Sequence, residues 1–273
     1  MKQTLQNVLE KYSAMHLEKH ILNSLEPTIQ IRLRKGSDEQ IAVGTSKLGG
    51  FPDLPDELKI PTYNDIPLHF IGQLNLEEIQ PYHKGNPLPT KGMLYFFYDA
   101  EEQPWGFDLR DIGGHRVLYT ENIENLKRRE LQTEVFPPSI ISFQETWTLA
   151  KEKVGETGLS NDDEWDLYKE IEELYIDGLH HLLGSAQAIQ SEAMAEECHL
   201  VTNGIYLGNG YPSDQEIKHL PGSAQDWMLL LQLDTNDESE MDWGDTGLLY
   251  FWIKKEDLLQ RNFENTWLIL QCC

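Results

Sequence analysis

Two stretches of the 273-residue chain, about half a chain apart, carry the same pattern. Gln73-Leu74 is followed by Gly92-Met93-Leu94-Tyr95-Phe96-Phe97, and Gln232-Leu233 is followed by Gly247-Leu248-Leu249-Tyr250-Phe251-Trp252. A supersecondary unit used twice buries its apolar faces against its own copy, so internal repetition restricts the fold more than any other feature. The pattern predicts an internally duplicated α+β chain with mostly antiparallel, sheet-rich halves and peripheral helices. The Gln-to-Gly spacing is 19 positions in one copy and 15 in the other. Surface connections tolerate such drift far better than paired strands do.

Gly92 to Tyr98 and Gly247 to Ile253 are continuous apolar and aromatic runs of strand length, which implies burial on both faces. Further strands are expected at Leu68–Leu74, His115–Thr120, Ile140–Leu149, Trp227–Leu233 and Thr266–Leu270. Ile29–Arg34 and Gln40–Val43 read as a hairpin around the turn-forming Lys35-Gly36-Ser37-Asp38. Leu5, Val8, Leu9, Tyr12 and Met15 recur at helical spacing and predict an amphipathic helix packed on the sheet of its own half. Trp165, Tyr168, Ile171, Leu174 and Tyr175 form a second such stripe, which mirrors the first. Ser160 or Asn161 caps it, and Asp162, Asp163 and Glu164 favour its positive end. Asn75 caps a single turn stopped by Pro81, and another short helix is expected near Lys255–Asn262. Gly44 to Pro55, continuing to Pro67, is too rich in Gly and Pro for regular structure. The polar stretch Lys151–Asp163 sets a boundary between a first repeat at 1–150 and a second at 151–273, packed as one globular unit.

Composition narrows the function classes. Hydrophobic residues at 40%, with 7 Trp and 11 Tyr, are ample for a packed interior. No run is long and apolar enough for a membrane helix, and the N-terminus lacks a signal pattern. Three cysteines, Cys198, Cys272 and Cys273, are too few for a disulfide framework, and a bond between the vicinal pair would be strained. A reducing cytoplasm is the expected home. The formal net charge of −24 repels phosphate backbones, so nucleic acid is not expected as a partner. That charge suits a solvated surface, and among partners it suits a basic protein.

Several pieces together resemble the YwqG-like family of bacterial proteins. They are Leu48-Gly-Gly-Phe-Pro52, Phe70-Ile-Gly-Gln-Leu74, Gly92–Phe97, Leu182-Leu-Gly184, Ile189-Gln190, Leu229–Leu233, Trp243-Gly244 with Gly247–Trp252, and Gln271-Cys272. The resemblance implies a duplicated, sheet-rich α+β architecture in cytosolic proteins of unknown function. For some members it implies a neighbourhood of toxin and immunity genes, and hence protein binding. It brings no catalytic residue. The second glycine loop, Gly184-Ser-Ala-Gln-Ala-Ile-Gln190, departs from the proline-bearing form of the first.

The candidate binding residues are Gln73, Gln232, Asp53, Asp242, Trp243 and Asp245. Gln73 and Gln232 stand on apolar strands at equivalent places, where a carboxamide needs partners. Either they converge on one cleft between the halves or each satisfies the backbone of its own glycine-rich loop. Asp53 lies within the first such loop. Trp243 beside Asp242 and Asp245 can hold a cation by ring face and charge, or it packs beneath its strand while the aspartates cap a turn. Asp234 to Asp245 imitates a calcium loop but places Ser239 where the turn glycine belongs and Asp245 where a long bidentate Glu belongs. His180-His181 and Cys198-His199 lack metal-ligand spacing, and His115 lacks a nucleophile beside it. Gly44-Thr-Ser-Lys-Leu-Gly-Gly has the wrong order for a phosphate loop, and no hydrolase or kinase signature is present. No cofactor, metal ligand or catalytic residue is therefore assigned. The leading expectation is a cytosolic protein- or ligand-binding module, immunity-like toward a basic partner. The alternative is a hydrolase or metal-assisted enzyme with carboxylates where the halves meet.

Overall fold

The computed structural model of the chain describes residues 2–82 and 85–272. Helices α1 (Lys2–Lys11) and α2 (Glu18–Ser24) run into the long strand β1 (Leu25–Lys35). Two-residue strands β2 (Lys47–Leu48), β3 (Asp53–Leu54), β4 (Thr62–Tyr63) and β5 (Ile66–Pro67) lead to β6 (His69–Asn75). Then come α3 (Leu76–Ile79), β7 (Met93–Tyr98), β8 (His115–Thr120) and β9 (Lys127–Arg128). A second long strand, β10 (Ser139–Leu149), is followed by α4 (Asn161–Tyr175), β11 (His181–Leu182), α5 (Met194–Thr202) and α6 (Asp214–Ile217). The chain closes with β12 (Trp227–Asp234), β13 (Leu248–Lys254), α7 (Lys255–Gln260) and β14 (Trp267–Gln271).

Ten strands form one sheet in the order β14-β13-β12-β11-β1-β10-β2-β6-β7-β8, antiparallel at every step. β1 and β10 pair over their whole length, from Leu25 opposite Leu149 to Lys35 opposite Ser139. Outwards from that central pair, each flank presents a two-residue strand, a bulged strand, an aromatic strand and an edge strand. The bulges fall between Phe70 and Gly72 on one flank and between Leu229 and Leu231 on the other. The long strands cross over, since β1 carries the flank of β11 to β14 while β10 carries that of β2 to β8.

The sheet curls until its ends nearly meet. The Leu270 N–H of β14 donates to the Trp105 carbonyl at 3.2 Å, and His115 Nε2 at the start of β8 bonds the Thr266 carbonyl at 2.9 Å. Gly106 is required at this seam: its φ is +83°, and a Cβ there would lie 1.9 Å from the Leu268 oxygen. Leu94, Phe96 and Tyr98 of β7 face the interior with Leu249, Phe251 and Ile253 of β13. Phe96 and Phe251 meet edge to face with centroids 5.1 Å apart, so the interior is a filled core. The alternate side chains are buried too. Met93, Tyr95 and Phe97 lie under Leu54 and Leu68, and Leu248, Tyr250 and Trp252 lie with Met194, Cys198 and Val201 of α5. This double burial is why both strands read as unbroken apolar runs.

The hairpin expected from Ile29–Arg34 and Gln40–Val43 does not form. β1 gives both edges to strands distant in sequence, β10 and β11. Residues 37–46 instead turn around the Asp38 carboxylate, which accepts from Lys47 Nζ at 2.6 Å and the Phe51 N–H at 3.1 Å. The N-terminal helix breaks at Ser13, where φ is 55°, and Met15 is exposed. Its Leu5 and Leu9 share a cluster with Leu167, Tyr168 and Ile171 of α4 as well as with Leu149 of β10, where the sheet alone was expected. Helix α4 is therefore a packing partner of α1, and it lies between β10 and β11 in the chain. Ser160 caps α4 as expected, accepting from the Asp163 N–H at 3.2 Å, but Trp165 turns outward and Leu167 takes the buried place. The Cys272–Cys273 pairing falls outside the described residues, because Cys273 is not among them. No helix of the described residues is long and apolar enough to cross a membrane.

Candidate functional site

The two glutamines organise two loops in the same way. The Gln73 Oε1 accepts from the Asp53 N–H at 2.8 Å, and its Nε2 donates to the Thr45 carbonyl at 2.8 Å. The Gln232 Oε1 accepts from the Gln187 N–H at 2.9 Å, and its Nε2 donates to the Leu179 carbonyl at 2.8 Å. The Tyr95 hydroxyl donates to the Asp53 carbonyl at 2.7 Å, as the Tyr250 hydroxyl does to the Gln187 carbonyl at 2.9 Å. Each carboxamide is thus spent on the backbone of its own glycine-rich loop. They do not converge on one cleft, because β6 and β12 are separated in the sheet by β2, β10, β1 and β11.

What fills the two loops differs. In the first, Asp53 is fully buried and pairs with Arg128 Nε at 2.8 Å, while also accepting from Gln73 Nε2 and the Gly44 N–H. Arg128 also donates to the Ile41 carbonyl at 2.9 Å and stands 3.4 Å from Asp38. Lys47, with no exposed side-chain surface, bridges Asp38 and the Phe51 carbonyl. Two acids and two bases therefore close a balanced network in which the buried Lys47 and Asp53 are each matched by a partly exposed partner, the arrangement that buried charge requires. Burial pulls the Lys47 ammonium below its usual range, against the raising effect of Asp38 and Asp53. Asp53 is a structural anchor.

The second loop borders a cavity of about 330 Å³, lined by Ile176, Leu179, Ala188 and Ile189 together with Trp165 and Glu172. That volume is at the small end of ligand pockets, roughly 300–1,000 Å³. Glu172 lies on α4, with its side chain 11% exposed. Its Oε1 has no hydrogen bond, although Lys151 Nζ stands 3.3 Å away and also bonds Glu192 at 3.3 Å. Burial pushes the Glu172 carboxyl up to about 7, against the pull of Lys151, and Glu192 adds to the rise. Gln187 Oε1 is likewise buried without a partner. At the rim, Trp165 is 56% exposed, with the Lys151 ammonium 5.6 Å from its ring centroid. Lys169 and Glu173 complete the mouth. An apolar chamber with a carboxyl held only by Lys151, a carboxamide oxygen without a partner and an indole at its entrance can take a polar head on an apolar stem.

The remaining sequence candidates lie elsewhere. Trp243 is fully buried in the core, edge to face with Tyr98 at 5.8 Å and with Phe136 at 5.8 Å, so its ring offers no face to a cation. Asp242 and Asp245 are exposed beside it, and Asp242 accepts from the Thr235 hydroxyl at 3.3 Å. His115 is a core residue whose pKa burial lowers to about 4, and His180 and His181 are lowered to about 4 in the same way. Among the described residues no group of three or more His, Cys, Asp or Glu is placed to hold a metal ion.

Sequence reasoning passed over Lys151, Trp165, Glu172 and Gln187 as site residues. One signal was present: Glu172 stands one turn after Tyr168 and next to Ile171, and so sets a carboxyl at the margin of the stripe that α4 buries. No curated protein matches the chain. The profile of a domain of unknown function, DUF1963, matches residues 46–272, and the chain belongs to that family.

Proposed function

We propose that the chain is a cytosolic binding module that recognises a basic protein, in the manner of an immunity protein, through the cavity beside α4. The observation that carries this reading is Glu172, a carboxyl held in an apolar chamber with an oxygen that no hydrogen bond uses. A cationic side chain of the partner supplies a hydrogen bond that Lys151, shared with Glu192, does not make, its stem lies along Leu179 and Ile189, and Trp165 offers a ring face at the entrance. The net charge of −24 steers such a partner towards the surface. We further infer that the two flanks are copies of one module, within the YwqG-like branch of the family. The paired bulges, the matched Gln and Tyr hydrogen bonds and the symmetric strand order support this.

Titration calorimetry with a hexa-arginine peptide tests the reading. The expected result is binding that weakens with salt and falls at least about tenfold in Glu172→Gln, a loss of ~1.4 kcal/mol. Equal binding by the variant, or by a hexa-glutamate peptide, overturns it. The rival reading, a hydrolase using carboxylates, draws on the same residue, since a carboxyl near 7 suits general acid–base work. It requires turnover of an ester or amide substrate that is lost in Glu172→Gln.

A further inference from the structure

The first flank contains an occupied version of the site. Lys127 and Arg128 lie antiparallel on Asp53 and Leu54, Arg128 opposite Asp53, and the Arg129 N–H donates to the Pro52 carbonyl at 2.9 Å. The Arg128 guanidinium then reaches inward to Asp53, Asp38 and the Ile41 carbonyl.

On the second flank, the matched hydrogen bonds fix a gapless correspondence of residues 44–54 with residues 178–188. Gly44 and Gly178, at its start, both have positive φ, +84° and +118°. Pro52 then corresponds to Ala186, Asp53 to Gln187 and Leu54 to Ala188. The same count carried back sets Glu172 against Asp38. No described strand pairs with residues 186–188. Among the described residues, neither Ala186 nor Ala188 makes a backbone hydrogen bond. The cavity runs along Gln187–Ile189. Gln187 Oε1, which has no partner, and Glu172 Oε1, whose only partner is the Lys151 ammonium at 3.3 Å, correspond in sequence to the two carboxylates that hold Arg128.

We propose that residues 186–188 receive an extended, arginine-bearing segment of a partner protein, paired antiparallel as Lys127–Arg129 pair with residues 52–54, its guanidinium held by Glu172 and Gln187. This rests on the binding-module reading and names its mode, strand addition with a charged side-chain anchor. A second copy of this chain is a poor donor, because its own Arg128 is already engaged. A neutral Gln187 where the first flank has Asp53 makes the grip looser than the internal one, as reversible association requires.

A nonapeptide reproducing residues 123–131 is the probe, titrated calorimetrically into the full chain. The expected result is saturable binding at one site, weakened at least about tenfold by each of three changes. These are N-methylation of the peptide nitrogen equivalent to Arg129, citrulline in place of Arg128, and Glu172→Gln in the protein. If the N-methylated peptide binds as tightly as its parent while the citrulline peptide does not, strand pairing is overturned and side-chain recognition stands. If the nonapeptide fails while hexa-arginine binds in a Glu172-dependent way, strand pairing is likewise overturned and side-chain recognition again stands. If neither binds, both readings fall. Binding of the nonapeptide that Glu172→Gln leaves unchanged lies elsewhere on the surface and overturns the proposal. The N-methyl and citrulline arms alter only the probe, so the test does not depend on how any variant folds.

Discussion

The loop at residues 44–54 and the loop at residues 178–188 hang from the same Gln and Tyr hydrogen bonds, yet one is packed with charge and the other opens on a cavity. The scaffold of such a loop is therefore set by its strands, while its filling is set by a few residues elsewhere in the chain. In the first flank those residues are Asp38, Lys47 and Arg128. In the second, α4 stands in the corresponding region and brings Trp165, Glu172 and, beside it, Lys151. A closed network of opposite charges favours rigidity, whereas a carboxyl in an apolar wall whose one cation is shared with Glu192 is costly unless something more binds it.

The two loops should differ most at Arg128. Arg128→Ala leaves Asp53 buried without its cation and is expected to cost about 3–5 kcal/mol in urea unfolding. Gln187→Ala, at the place corresponding to Asp53, removes a side-chain oxygen that bonds nothing, and costs below about 1 kcal/mol. Equal losses would show that the two loops are not filled differently.

Acidity sharpens the contrast next. Between about pH 4.5 and 7 the folded protein keeps a proton on Glu172 that the unfolded chain has released. Stability from this group is therefore full below that window and declines as pH rises through it, by about 3 kcal/mol in all. Lys151, Lys169, Glu173 and Glu192 are the charged groups that surround it. Glu172→Gln isolates it: relative to wild type, the variant is expected to gain about that amount between pH 4.5 and 7.5 in chemical denaturation. A flat difference would mean that Glu172 is solvated. The smallest effect belongs to Trp165→Ala, within about 0.5 kcal/mol in stability because the ring is largely exposed, while peptide binding weakens.

Much of the fold was legible because it depends on local pattern. β7, β12, β13 and β14 begin and end within a residue or two of their expected limits, since strands buried on both faces leave nearly unbroken apolar runs. β1 was also found, but not its partners, because strands more than a hundred residues away in sequence leave no trace in its own residues. The break at Ser13 went unseen for a related reason: helical spacing continues past it. Of the two readings left open for Trp243, packing beneath its strand is the one that holds, because its ring enters the core while its aspartate neighbours are exposed. The cavity was illegible as such. It is formed by what is missing beside Gln187 and Ala188, and a sequence records only what is there.

The crossing of the two long strands bears on how the molecule is made. Ile29 of β1 finds its neighbour Leu182 roughly 150 residues later in the chain. At a synthesis rate of about 5–20 residues per second, that wait lasts on the order of 10 to 30 seconds. One side of an early-made strand stays unpaired throughout, which leaves the nascent chain open to chaperones until the segment around Leu182 is synthesised.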